Sequence, residues 1–202
     1  DLEVSIADPN SDAMTVTYYG RPVAPPSTGE DFTIIAMPDT QHYVDNGGAN
    51  AANFYAQTQW IVANKDALNI VFVTGLGDIT ENGNTFDSEW QIANTAYTTI
   101  ENPMTTGLPD GIPFGLAVGN HDQSPNGGGD TASTAKYNEY FGISRFSGRG
   151  YYGGQHGSNN DNHYQLFSGG GMDFIIIHLE YDTTPLPAVL TWADSLLQTY
   201  SN

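Results

Sequence analysis

Short apolar runs alternate with longer segments of helical periodicity over most of the chain. Phe32–Met37 and the β-branched Ile70–Thr74 each read as a buried strand, and so does the run Ile112–Val118. Between them lie two helical patterns. The first spans about Ala51–Leu68 and offers Phe54, Tyr55, Trp60, Ile61 and Leu68 as its inner face. The second, Asp87–Ile100, offers Trp90, Ile92, Ala93 and Tyr97. Each strand runs into a polar loop: Pro38–Tyr43 and the Asn/Gly-rich stretch after it, then Gly75–Gly83, then Gly119–Asp122. This order predicts a βαβαβ core with its loops gathered at the carboxyl ends of the strands, where such sheets place their ligands.

Beyond the third loop the pattern changes. Residues 123–130 form a Gly/Asn/Pro loop, Thr131–Phe141 a short helix, and Gly142–Asp161 a long loop rich in Gly, Ser, Asn and Tyr. Asn162–Phe167 and Met172–Glu180 predict a hairpin turning at Gly169-Gly170-Gly171. A last helix, about Pro187–Tyr200, carries Val189, Leu190, Trp192, Leu196 and Leu197. Residues 1–30 stand apart, with a turn at Asp8–Asp12, a strand pattern over Met14–Tyr19 and an extended linker over Arg21–Gly29. They resemble the final hairpin of an immunoglobulin- or fibronectin-like module plus linker. A plain extension packed on the core is the alternative.

Composition narrows the chemistry. The chain has 202 residues, 23 Asp+Glu against 5 Lys+Arg, and a formal charge of −18. Such a surface repels a phosphate backbone and argues against general nucleic-acid or anionic-membrane binding; most of the charge reads as a solvated acidic surface. No apolar run is long enough to span a bilayer. Cysteine is absent, so any metal must use oxygen and nitrogen ligands. Abundant Gly, Asn, Thr and Tyr with few Lys suggest an exported bacterial protein.

The three strand ends deliver Asp39 with Gln41 and His42, then Asp78, then Asn120 with His121 and Asp122. These are hard or borderline donors, suited to Mn, Fe, Zn or Mg. A carboxylate such as Asp78 can bridge two cations, a hydroxide between them is a good nucleophile, and a pair of cations can stabilise an in-line displacement at phosphorus. His121 would protonate the leaving alkoxide, with Asp122 orienting its ring. Any one loop alone reads as an ordinary turn; the three in order do not.

Gly77-Asp78-Ile79-Thr80-Glu81-Asn82-Gly83 and Gly119-Asn120-His121-Asp122 resemble the second and third motifs of the calcineurin-like metallophosphoesterases. Asp39-Thr40-Gln41 is similar to the first motif in a branch, many of its members exported, that has Gln in place of His. The segment from His163 through Glu180 to Asp194 also resembles that branch. The resemblance covers roughly residue 32 to the end. It implies a β-sandwich flanked by helices, with two divalent metal ions held by Asp39, Gln41, Asp78 and Asn120, and with His121 and Asp122 catalytic. His42 is a second-rank ligand, expected to point away from Gln41. The family's two later histidine motifs do not follow. His156, His163 and His178 lack their context, and a packed or surface His178–Glu180 pair is expected. Residues 31–202 are therefore expected to be the N-terminal part of a phosphoesterase domain, incomplete at its C-terminus and weak in metal binding alone. Further modules of a longer chain, or another chain, would meet its open ends. A non-catalytic extracellular surface module with a degenerate site is the second reading. A Ca2+-binding adhesion module is a third, without an EF-hand-like loop to support it.

Overall fold

A computed structural model describes residues 29–201. The expected strand Met14–Tyr19 and the linker before Gly29 lie outside the described residues. Three parallel strands, β1 (Thr33–Met37), β2 (Ile70–Gly75) and β3 (Phe114–Leu116), form one sheet in that order. Helices α1 (Gln41–Gly48) and α2 (Ala51–Asn64) connect β1 to β2, and α3 (Asp87–Glu101) with the short α4 (Pro103–Thr106) connects β2 to β3. The expected βαβαβ core is present. After a 3-10 turn at Gly129–Thr131 come α5 (Ala135–Phe141) and α6 (Ile143–Phe146), and then a second, antiparallel sheet of β4 (Tyr152–Gln155), β5 (His163–Gly169) and β6 (Met172–His178). Helix α7 (Pro187–Thr199) closes the described chain. The protein is therefore mixed α/β, with one parallel and one antiparallel sheet.

The sheets pack face to face between outer helices. On β3, Phe114 turns toward α3, where it stacks on Tyr97 at 5.7 Å, and Gly115 turns toward the other sheet. On β2, Phe72 stacks on Phe167 of β5 at 4.5 Å. A methyl group at Gly115 would lie 2.5 Å from both Gln165 Oε1 and His178 Cε1, so glycine is what lets the sheets approach here. The outer face of β5 carries Tyr164, which meets Trp192 and Tyr200 of the α7 segment. The main core lies between the parallel sheet and its helices, around the fully buried Phe54, Ile61, Trp90, Tyr97, Ile100 and Phe114. Each such side chain contributes about 1.5–3 kcal/mol.

Several expectations change. The stretch after Asp39 forms α1, broken at Asp45–Gly47, where Asn46 and Gly47 take positive φ. The first long helix stops at Asn64, and Trp60 and Leu68 are exposed. Trp60 borders an open apolar groove beside β1, so the helical stripe is wider than the sheet beneath it. Leu190 and Leu197 of α7 are exposed as well, about 100° round the helix from the buried Val189 and Leu196. The long Gly-rich loop contains α6 and β4.

Candidate functional site

Register explains how the three loops meet. Met37 is level with Gly75, and Gly75 with Leu116, so the parallel strands end side by side. The chains leaving them line a common open groove of about 500 Å3, bounded by Asp39, Leu76, Asp78, Asn120, Leu179 and Tyr181 among others. Asp39, Asp78 and Asn120 are thus brought together at one end of the sheet.

Each of the three is held from behind. Asp39 Oδ1 accepts from the Gln41 N–H at 2.9 Å as α1 begins. Asp78 has φ 49°, and its Oδ1 accepts the His121 N–H at 2.9 Å. Its carbonyl accepts the Thr40 N–H, which joins the first loop to the second. Gly119 passes so close that a Cβ there would stand 2.1 Å from Asp78 N and Oδ1. Asn120 Nδ2 donates to Asn126 Oδ1 at 3.0 Å, which turns its carbonyl oxygen the other way. Behind the second loop, the buried carboxylate of Glu89 on α3 accepts from the Glu81 and Asn82 N–H groups and from Asn82 Nδ2. Trp90 Nε1 donates to Gly83 O at 2.6 Å.

Asp122 is placed differently from expectation. It is fully buried; Oδ1 accepts the Thr80 N–H and hydroxyl, and Oδ2 accepts the Gly119 N–H. Burial pushes its carboxyl up to about 7, against the opposing pull of N–H donors from Gly119, Thr80 and Ile79. It clamps the second loop to the third and does not touch the His121 ring. The ring is held by Glu81: Nδ1 lies 3.0 Å from Glu81 O and 3.4 Å from its Oε2. A carbonyl can only accept, so Nδ1 carries the proton there and Nε2 is the remaining ring nitrogen. The ring and the Asp122 carboxylate thus bind different partners.

His42 is corrected too. It was expected to point away from Gln41, yet their Nε2 atoms lie 3.3 Å apart. Both residues sit in the first turn of α1, where neighbours are about 100° apart, unlike the opposed side chains of a strand. His42 is exposed, with Nδ1 on Asp45 Oδ2 at 3.1 Å, and that bond raises its pKa. Gln41 is buried and its Oε1 finds no protein partner, but it is not among the residues lining the groove.

Among the described residues, no three His, Asp or Glu side chains form a group that could hold a metal ion. The groove instead presents two carboxylates and one amide oxygen, all hard donors of the kind Mg or Mn prefers. By donor chemistry this fits a divalent cation as part of a ligand set.

Of the later histidines, His156 packs on Trp192, and His163 and His178 stack between the sheets at 4.9 Å. Glu180 accepts from Asn162 Nδ2. Glu81, Glu89 and Asn126 went unread in the sequence. Only Glu89 carried a signal, as a carboxylate in the first turn of a helix directly after a Gly/Asn loop.

No family model matches the chain, and no solved structure matches it. It is similar to YvnB, an uncharacterized protein of Bacillus subtilis (strain 168), at 30% identity over 173 residues. That match covers 86% of this chain and 12% of the length of the relative. Among the described residues, no helix is long and apolar enough to cross a membrane.

Proposed function

We propose that this chain contributes the first three loops of a metal-dependent phosphoester hydrolase of the calcineurin-like type, in a secreted or cell-surface bacterial protein. The observation that carries the reading is the level ending of three parallel strands. It sets Asp39, Asp78 and Asn120 on one groove, in the order of the three motifs. Asp39, Asp78 and the Asn120 carbonyl would hold the two divalent cations, with Gln41 close by in sequence. Cations bound there would activate water and offset charge on the phosphoryl oxygens. His121, fixed through Nδ1 by Glu81, presents Nε2 to exchange a proton with the leaving alkoxide. The net charge of −18 favours divalent cations over polyanions near the site. Among the described residues, β1 and β6 each pair with a single strand and Leu186, Leu190 and Leu197 are exposed; further modules of a longer chain would cover these surfaces.

The roles separate by substitution in the full-length protein. His121→Ala should keep its metal and lose about 10²–10⁴-fold in turnover. Asp78→Ala should lose the metal itself. Elemental analysis beside turnover of an aryl phosphodiester reads both. Full turnover in metal-loaded His121→Ala would remove its catalytic assignment. A wild-type protein that binds no divalent metal would favour the non-catalytic surface module.

A further inference from the structure

The groove has a second character besides its oxygen donors. Leu76 (62% exposed), Leu179 and Tyr181 line it as large apolar side chains open to solvent. Leu76 follows directly on β2, within Thr74-Gly75-Leu76-Gly77-Asp78, two residues before Asp78. Leu179 and Tyr181 come from the chain leaving β6. Tyr181 is anchored through both of its backbone polar groups: its N–H donates to Val118 O at 2.7 Å, and its carbonyl accepts from Gln123 Nε2 at 2.9 Å. The apolar wall is therefore tied to the same loop that carries Asn120.

Charge adds an independent constraint. Sites that grip dianionic phosphate or polyphosphate usually recruit Arg or Lys. Among the described residues, none lines this groove. Each described cation is paired with a carboxylate elsewhere: Lys65 with Asp66, Lys136 with Asp87 and Glu139, and Arg145 and Arg149 with Glu101.

We propose that the groove selects monoanionic phosphodiesters with one apolar or aromatic ester group, which lies on Leu76, Leu179 and Tyr181, over phosphomonoesters and polyphosphates. This rests on the phosphoester reading above. Water forms the new P–O bond, the P–O bond to one ester group breaks, and the departing oxygen takes a proton, leaving a monoester and an alcohol.

The test uses the full-length, metal-loaded protein with phenyl 4-nitrophenyl phosphate, methyl 4-nitrophenyl phosphate and 4-nitrophenyl phosphate. The expected order of kcat/KM is phenyl diester, methyl diester, monoester, with about tenfold between the first two. Leu179→Ala/Tyr181→Ala should collapse the phenyl-to-methyl ratio toward one. Leu76→Ser, at an exposed position, makes the same test should the double variant fail to fold. Calorimetric binding of diphenylphosphinate, a monoanion with no P–O ester bond to break, should weaken by about the same factor in these variants. Monoester turnover equal to or above the diesters, or a ratio and affinity unmoved in the variants, overturns this inference and leaves the phosphoester reading intact. Absence of both metal binding and turnover of any ester overturns both.

Discussion

Two buried polar clusters hold this protein together on opposite principles. At the mouth of the parallel sheet, Asp122 has no exposure to solvent, yet both of its oxygens are met by N–H or O–H donors from Thr80 and Gly119. Between the sheets, His163, Gln165 and His178 are equally buried and only partly met. His163 Nδ1 reaches Asn160 O at 2.7 Å and His178 Nε2 reaches Thr74 Oγ1 at 2.9 Å. His163 Nε2, His178 Nδ1 and both polar atoms of the Gln165 amide have no partner among the described residues. The first cluster converts burial into a fixed loop geometry. The second is held in place by packing around it, and its imidazoles stay neutral because burial disfavours their charged form.

The largest test of this contrast is Asp122→Ala. It leaves the buried Thr80 N–H and the part-buried Gly119 N–H without acceptors, at up to about 1–3 kcal/mol each. A loss of roughly 3 kcal/mol or more in urea unfolding is expected, with Asp122→Asn intermediate because one oxygen remains. A loss below about 1 kcal/mol would mean the loops hold without the clamp.

The inter-sheet cluster should show itself through pH. Burial lowers the His163 pKa to about 4, and burial lowers that of His178 well below its ordinary value. An imidazole in the unfolded chain takes a proton near 6.5, so below that pH the unfolded state binds protons that the folded state refuses. Stability from these groups is complete above pH 6.5, falls as pH drops, and for His163 is lost by about pH 4. The His163 share is about 3 kcal/mol. Denaturation midpoints between pH 7 and 4 measure it, and His163→Gln should flatten the curve. An equal slope in that variant would show that the acid lability arises elsewhere.

The smallest effect is expected from Gln165→Met. It removes two polar atoms that have no protein partner and keeps the volume beside Gly115, so stability should change by about 1 kcal/mol or less, in either direction. The thermal midpoint reads it. A larger loss would show that the amide is satisfied after all and that the two clusters are more alike than drawn.

Sequence patterning reached the parallel half of the molecule more fully than its details. Ile70–Thr74 is short, β-branched and bounded by Asn and Gly, so its strand was legible, and Trp90, Ala93 and Tyr97 are buried as the period of α3 required. Trp60 was misread because periodicity reports an apolar stripe without reporting how far the sheet beneath extends. The strand β4 was hidden by its own glycines. Gly153 is shaped by Tyr164, whose ring would lie 2.1 Å from any Cβ there, and that contact is tertiary. In the site, the three loops and their order were legible, while the partner of His121 was not. Whether Asp122 or Glu81 reaches the ring depends on the turn at Asp78, which spacing alone does not determine.

That turn has an evolutionary consequence. Asp78 takes a left-handed backbone angle that glycine adopts freely and aspartate only at about 1 kcal/mol or so of strain. Selection for folding alone would drift this position toward glycine, while the neighbouring Gly119 could not accept even a methyl group. The carboxylate gives the fold one hydrogen bond, to the His121 N–H, set against that strain. Across a lineage, a groove fallen out of use should surrender Asp78 early and keep Gly119 long afterwards.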